Sequence, residues 1–140
     1  MFRARYLENQ VISADPIGLV VLLYEGAMDS IRQARGFLQE GRIQERSNAI
    51  TKAMQIVAEL QGSLDLEQGG EIARSLAQLY GFIQERLIEA NAEQKLAPLE
   101  EAGQILSILH EGWKEIAIEL SAEAPMGEAE VEAGSMAWTL

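Results

Sequence analysis

The stretch "LEEAGQILSILHEGWKEIAIEL", residues 99–120, decides the fold. Apolar side chains recur in it every three or four residues, which places them on one side of an α-helix. The repeat runs without a break through Leu99, Ala102, Leu106, Leu109, Trp113, Ile116 and Leu120. It predicts a long amphipathic helix that begins near Pro98 and buries one side against other helices.

Three further helical patterns precede this one. The first follows Asp15, which can cap it, and Pro16, which suits the first helical position; Gly41 suits the left-handed residue that ends a helix. The second runs from about Ile43 to Gly62, and the third starts after residues 69–70, a Gly-Gly pair. The predicted core positions are Leu19, Leu23, Ala27, Ile31, Ala34 and Leu38, then Ile50, Met54, Val57, Leu60 and Leu64, then Ile72, Leu76, Leu79, Ile83 and Leu87.

The order of these segments predicts an all-α fold, because strand signals are nearly absent and the connections between helical segments are short. We expect an antiparallel four-helix bundle over residues 16–121. Residues 1–15 would form an N-terminal arm. Residues 122–140 are small, acidic and without a helical pattern, and predict a mobile or short-helical C-terminal tail.

Composition excludes several classes of protein. The chain has 140 residues, no cysteine and a net charge of −11, so disulfides and cysteine-based zinc sites are ruled out and nucleic-acid binding is disfavoured. Its longest strongly apolar run, "IGLVVLLY" at residues 17–24, is far short of the roughly 20 residues that span a bilayer. The N-terminal sequence lacks the apolar middle of a signal peptide. We expect a cytoplasmic protein without membrane insertion.

The side chains that usually carry catalysis are scarce. His110 is the single histidine, and the residue three before it is Ser107, so the Glu-x-x-His pairs of di-iron bundles are missing. We predict that the protein binds no metal ion or cofactor and is not an enzyme. One alternative is a histidine phosphotransfer bundle that uses His110, although Lys114 stands one residue later than that motif requires, about 100° further around the helix.

Some apolar residues lie beside the predicted stripes and either thicken the core or form a groove for a helix of another protein. The N-terminal arm could cover such a groove. The candidate partner-binding residues are Tyr6, Leu7, Ile12, Met54, Ile56, Ile88, Ile105 and Ile108. A self-associating structural bundle would use the same surface; for the free protein we expect a monomer or weak dimer.

The stretch "SLDLEQGGEIARSLAQLYGFIQERLIEAN", residues 63–91, resembles the signature segment of the flagellar secretion chaperones. In that family a Leu-Asp-x-Glu-x-Gly-Gly-Glu-Ile-Ala run opens the third helix, followed by Leu-Tyr, Arg-Leu and Ala-Asn. The segments "YLENQVISADPIGLVVLLYEGAM", "ITKAMQIVAEL" and "LHEGWKEI" are also similar to the family. The resemblance covers about residues 6–119.

The resemblance implies a non-enzymatic export chaperone. Its partners would be the C-terminal segment of flagellin, bound as a horseshoe of short helices, and a component of the flagellar export gate. The chaperone would prevent premature polymerisation, and its N-terminal arm would lie over part of the binding surface until the client arrives.

Two local expectations complete the sequence-based picture. Within the signature we expect the Gly69–Gly70 pair to allow a tight approach of the second and third helices, and Arg86 to pair with Asp65 or a nearby Glu. Beyond it, residues 136–140, "MAWTL", either stay solvated or dock on the groove in place of client.

Overall fold

A computed structural model describes residues 16–122, and these form four α-helices without a strand, which confirms the all-α prediction. The helices are α1 (Pro16–Glu40), α2 (Ile43–Gly62), α3 (Gly70–Glu93) and α4 (Leu96–Ala122). The predicted arm, residues 1–15, lies outside the described residues. So does the predicted tail, apart from Ala122, which ends α4.

Contacts between helices show that neighbours run antiparallel. Gly103 of α4 lies close to Ile31 of α1. Further along α4, Trp113 contacts Tyr24, which comes before Ile31 in α1, so the two helices run in opposite directions. Each helix packs against the helices that precede and follow it, and α1 also packs against α4, which closes the bundle. The predicted antiparallel four-helix bundle is therefore confirmed.

The two-residue connection between α1 and α2 shows why Gly41 was needed. Gly41 has a φ of +71°, the left-handed conformation that glycine adopts without strain. Its N–H donates to the carbonyl of Leu38 at 3.2 Å, and the N–H of Arg42 donates to that of Phe37 at 2.9 Å. This is the Schellman arrangement that satisfies the last carbonyls of a helix. The Arg42 guanidinium also lies 5.1 Å from the centre of the Phe37 ring, which covers the turn.

The loop between α2 and α3 is organised by Asp65 rather than by an arginine. Its Oδ1 accepts hydrogen bonds from the backbone N–H groups of Glu67 and Gln68, both at 3.0 Å, as short acidic side chains do in turns. Gly70 begins α3 with a φ of +56°, but a Cβ placed on it would meet no atom within 4 Å. The expected tight approach at this glycine is wrong: its role is conformational.

Close approach occurs instead at two glycines that sequence reasoning overlooked. A Cβ on Gly26 of α1 would lie 3.3 Å from Cδ1 of Ile56 on α2. A Cβ on Gly103 of α4 would lie 3.3 Å from Cγ2 of Ile31 on α1. Because these glycines have no side chain, Ile56 of α2 can pack against α1 at Gly26, and Ile31 of α1 can pack against α4 at Gly103.

The core largely follows the predicted stripes, with corrections at their flanks. Ile72 and Ile116, which were placed in the core, are 62 % and 39 % exposed, whereas Ile56, which was placed beside it, is buried. The buried core contains Ile17, Val20, Tyr24, Ala27, Ile31, Ala34, Ala49, Ile50, Ala53, Ile56, Val57, Leu60, Leu76, Tyr80, Ile83, Leu87, Ala90, Leu99, Ala102, Leu106 and Trp113.

A buried arginine joins α2 to α3. Arg46 is only 4 % exposed, and its Nε–H donates to Oδ1 of Asn91 at 3.1 Å. The Ser47 hydroxyl donates to the same oxygen at 3.1 Å, and Nη2 of Arg46 lies 3.4 Å from the Asn91 carbonyl. Asn91, the last residue of the sequence signature, thus fixes the end of α3 against the start of α2.

Candidate docking groove

An apolar groove runs between α3 and α4 at the end of the bundle where α1 begins and α4 ends. It has a volume of about 300 Å³ and almost no polar lining. Ile72, 62 % exposed, forms the rim on the α3 side. Ile108, 67 % exposed, and Ile116 form the rim on the α4 side. Its full lining is Ile17, Ile72, Leu76, Ile108, Leu109, Gly112, Trp113 and Ile116.

Helix geometry explains why these residues meet. Arg86 of α3 lies against Glu101 of α4, near the connection between the two helices. Because the helices run antiparallel, stepping back along α3 corresponds to stepping forward along α4, which brings Ile72 to the level of Ile116. On α4, residues 108, 112 and 116 are spaced by four, so they share one side of the helix. Gly112 at the centre of this series leaves the groove open, since a Cβ there would meet nothing within 4 Å.

The predicted partner-binding residues that lie within residues 16–122 are distributed over the bundle rather than gathered in one place. Ile108 lines the groove, and Ile105 lies half-buried against the core one turn before it. Ile88 is 54 % exposed but does not line this groove. Met54 is half-buried against the core. Tyr6, Leu7 and Ile12 lie outside the described residues.

Ile56 has a different place from the one expected for a groove residue. It is 9 % exposed, belongs to the core and packs over Gly26. A client could not contact it without opening the α1–α2 interface, so we leave Ile56 out of the proposed surface. An aspartate at this position is expected to unfold the bundle.

Sequence reasoning missed the groove residues Ile17, Ile72, Gly112 and Ile116. Ile72 and Ile116 continue the core stripes of their helices, so their spacing assigned them to the interior. The available signal was the series of residues 108, 112 and 116, with isoleucine at both ends and glycine between them. This series forms a second apolar strip beside the core stripe of α4, and the glycine at its centre has no side chain to fill the space.

The floor of the groove is connected to a buried polar cluster. Trp113 lines the groove, and its Nε1–H donates to the Tyr24 hydroxyl at 3.3 Å. That hydroxyl lies 2.6 Å from the hydroxyl of Tyr80. Burial raises the pKa of both phenols above the usual value, so both stay neutral and able to donate and accept hydrogen bonds. The cluster fixes α1, α3 and α4 relative to one another beneath the groove.

A second groove, about 430 Å³ in volume, lies between α1 and α4 and has a mixed lining. Arg35 and Glu100 form an ion pair across it at 3.3 Å, and Arg32, Gln104 and Ser107 also line it. An apolar helix would have to desolvate these polar groups to dock here. The α3–α4 groove is therefore the better site for an apolar partner.

His110 faces α1, and its ring is held in place. Its Nε2 lies 3.0 Å from Oε2 of Glu25, and its side chain is only 12 % exposed. Both features limit the access of a phosphodonor, which disfavours the phosphotransfer alternative. Within residues 16–122, no group of three or more His, Asp or Glu side chains is arranged to hold a metal ion.

Arg86 pairs with glutamates, but not with the loop that it was expected to fix. Its Nη2 lies 2.6 Å from Oε1 of Glu89, its Nη1 lies 3.8 Å from Oε1 of Glu101, and its guanidinium lies 5.3 Å from the centre of the Phe82 ring. The expected pairing with Asp65 is wrong. Arg86 instead bridges α3 and α4 near their connection.

The chain is similar in sequence to known proteins over most of its length. A family model described as flagellar protein FliS matches residues 2–120. The flagellar secretion chaperone FliS of Salmonella typhimurium is 38 % identical over 111 residues, which cover 79 % of this chain and 82 % of that protein. The flagellar secretion chaperone FliSB of Pseudomonas aeruginosa is 37 % identical over 107 residues, covering 76 % and 85 % of the two chains.

The similarity extends to the flagellar secretion chaperone FliS of Escherichia coli, 30 % identical over 110 residues, which cover 78 % of this chain and 81 % of that protein. The family match includes α1 to α3, α4 as far as residue 120, the buried tyrosines and the groove. In residues 16–122 no helix is both long and apolar enough to cross a membrane. The chain belongs to the FliS family of flagellar secretion chaperones.

Proposed function

We propose that this protein is a cytoplasmic, non-enzymatic export chaperone that binds the C-terminal segment of flagellin. It prevents that segment from polymerising early and delivers it to the flagellar type III export gate. The observation that carries the proposal is the apolar groove between α3 and α4, whose exposed rims need a partner with an apolar side. Membership of the secretion-chaperone family supports the identity of the client.

The groove suits an amphipathic helix better than a charged peptide. Its lining is almost wholly apolar, so charged side chains would lose their hydration there without gaining partners. A helix satisfies its own backbone and can present side chains at i, i+3, i+4 and i+7 to the groove. The client side chains that enter it should be aliphatic or aromatic.

Magnitudes indicate that this groove is one of several contacts. Fully burying an isoleucine stabilises a complex by about 1.5–3 kcal/mol, so covering the partly exposed Ile72, Ile108 and Ile116 gives about 3–5 kcal/mol. A micromolar complex requires about 8 kcal/mol. The client's own apolar side chains and further contacts along the bundle must supply the difference, which fits a segment that wraps around the chaperone.

The test is calorimetric titration with the C-terminal 40 to 50 or so residues of the flagellin from the same organism, about 60–75 Å of helix if fully helical. One-to-one binding with a strongly negative heat-capacity change is expected, because apolar burial is coupled to folding of the client. Gly112→Phe should fill the groove and weaken binding at least tenfold. Gly81→Phe is the matched control, since a Cβ on Gly81 also meets nothing within 4 Å but Gly81 does not line the groove.

A second pair of variants separates loss of binding from loss of fold. Ile108→Asp places a charge on the groove rim, whereas Ile118→Asp places one at a site of similar exposure outside the groove. Both proteins should melt cooperatively near the temperature of the parent. The proposal fails if both variants bind flagellin as the parent does, or if the parent shows no binding at tens of micromolar.

A further inference from the structure

We propose that residues 136–140, "MAWTL", dock in the α3–α4 groove of the same chain and compete with the client, so that the tail regulates access to the site. The regulatory part of this inference rests on the proposed function. The docking itself does not, because it concerns the free protein.

The position of the groove on α4 is the first argument. Ile116 lines the groove six residues before Ala122, where α4 ends, a distance of about 9 Å along the helix. The tail therefore starts beside the groove that it would occupy. Residue 136 follows Ala122 by 14 residues, a length that spans at most about 46 Å and averages about 20 Å in a flexible chain. The return to Ile108 or Ile72 lies well within this reach.

The charge pattern of the tail is the second argument. Its four glutamates lie between residues 123 and 132 without a compensating Lys or Arg, whereas residues 133–140 carry no charged side chain. The 18 acidic residues before the tail outnumber all 11 basic residues of the chain, so the bundle repels the glutamate-rich part. Residues 133–140 can approach at a lower electrostatic cost, because none of their side chains is charged.

The side chains of residues 136–140 match the groove in kind. Met136, Trp138 and Leu140 are spaced by two, which places them on one side of an extended segment. The groove offers aliphatic rims and almost no polar group, so a thioether, an isobutyl group and the ring carbons of an indole lose little by leaving water there. Because the segment is tethered, docking benefits from a local concentration in the millimolar range.

The docking is tested first without client, in the full-length protein labelled at isoleucine methyl groups. Trp138→Ala and removal of residues 123–140 should each shift the NMR signals of Ile72, Ile108 and Ile116. Signals of Ile43 and Ile88, which are exposed but do not line the groove, should stay in place. Val131→Ala, in the acidic part of the tail, is the matched control and should move none of them. Unchanged groove signals after tail removal would overturn the inference.

The N-terminal segment is the other candidate occupant, and the same signals distinguish it. If Tyr6→Ala shifts Ile72, Ile108 and Ile116 while Trp138→Ala does not, the groove is covered by residues 1–15 and the tail proposal is wrong.

Calorimetry with the flagellin segment then tests the regulation. If the tail occupies the groove nine-tenths of the time, Trp138→Ala should tighten the apparent affinity for client about tenfold. An unchanged affinity would overturn the regulatory inference. If no form of the protein binds flagellin but the methyl shifts are present, docking of the tail stands and the proposed client fails.

Discussion

The hydroxyl groups of Tyr24 and Tyr80 lie 2.6 Å apart in the interior of the bundle, on helices α1 and α3, which are diagonal to one another. Both side chains are fully buried, and Trp113 of α4 donates a second hydrogen bond to Tyr24. A buried hydroxyl without a partner would cost about 1–3 kcal/mol, so each member of the cluster depends on the others. The cluster therefore specifies how three helices are aligned.

Removing one hydroxyl at a time should reveal the central position of Tyr24. Tyr80→Phe removes one bond and leaves Tyr24 as the acceptor of the Trp113 N–H, so the free energy of unfolding should fall by about 1–2 kcal/mol. Tyr24→Phe removes two bonds at once and should cost more. Urea denaturation of both variants measures the difference. Equal losses would show that the Trp113 bond contributes nothing.

Stability should also decline at alkaline pH because the phenols are buried. Burial raises the pKa of Tyr24 and Tyr80 in the folded protein above the value of 10.0 that applies when they are exposed on unfolding. The resulting stability is fully present below pH 10. Above it the unfolded state loses protons that the folded state keeps, and stability falls by about 1.4 kcal/mol per pH unit for each tyrosine. Denaturation between pH 9 and 11 should therefore show a smaller dependence of stability on pH for Tyr80→Phe than for the parent, which differs from it only by that hydroxyl group.

The contact between Arg46 and Asn91 gives a third prediction. Asn91→Ala would leave a buried guanidinium without its side-chain acceptor and should lower the free energy of unfolding by about 2–3 kcal/mol. Asn91→Asp keeps an accepting oxygen and should lose less. Asn48→Ala is the control. Within residues 16–122 the exposed Asn48 side chain pairs only with Gln44, one turn away at 3.0 Å, and its loss should change stability by at most about 0.5 kcal/mol. Thermal unfolding of the three variants decides the matter.

The end of α3 offers a stabilising substitution. Gln94 adopts a φ of 56° and a ψ of 47°, the left-handed conformation that costs an L-residue about 1–2 kcal/mol. Gln94→Gly removes this cost and should raise the free energy of unfolding by about 0.5–1 kcal/mol, or the melting temperature by about 4 °C. Gln94→Ala keeps the strain and should not stabilise. A gain in stability in both variants would show that relief of backbone strain at position 94 is not the cause.

The features that the sequence predicted are those set by local periodicity. The four helices, the first helical position at Pro16 and the left-handed residue Gly41 all follow from spacing and turn chemistry within a few residues. The stripe residues that the structure places in the core were predicted for the same reason. Local rules sufficed wherever a residue's environment is formed by its own helix.

The rest depends on which residues of different helices face one another. Ile56 and Ile72 were misplaced in opposite directions, because Gly26 makes room for Ile56 whereas α4 leaves Ile72 at the rim of a groove. The contacts of Tyr24 with Tyr80 and of Arg46 with Asn91 join residues 56 and 45 positions apart, and no pattern within one helix indicates them. The signature 63–91 was visible as a sequence, but the reasons for its tyrosine and asparagine were not.

The position of Trp113 gives the protein an internal optical reporter. Its indole lines the groove on one side and donates a hydrogen bond to Tyr24 on the other, so the same ring reports both the solvent at the groove and the integrity of the core. With Trp138 replaced by Phe, excitation at long wavelength selects this one indole. An occupied groove should then shift its emission towards the blue at constant secondary structure, whereas loosening of the tyrosine cluster should shift it towards the red before the helices melt.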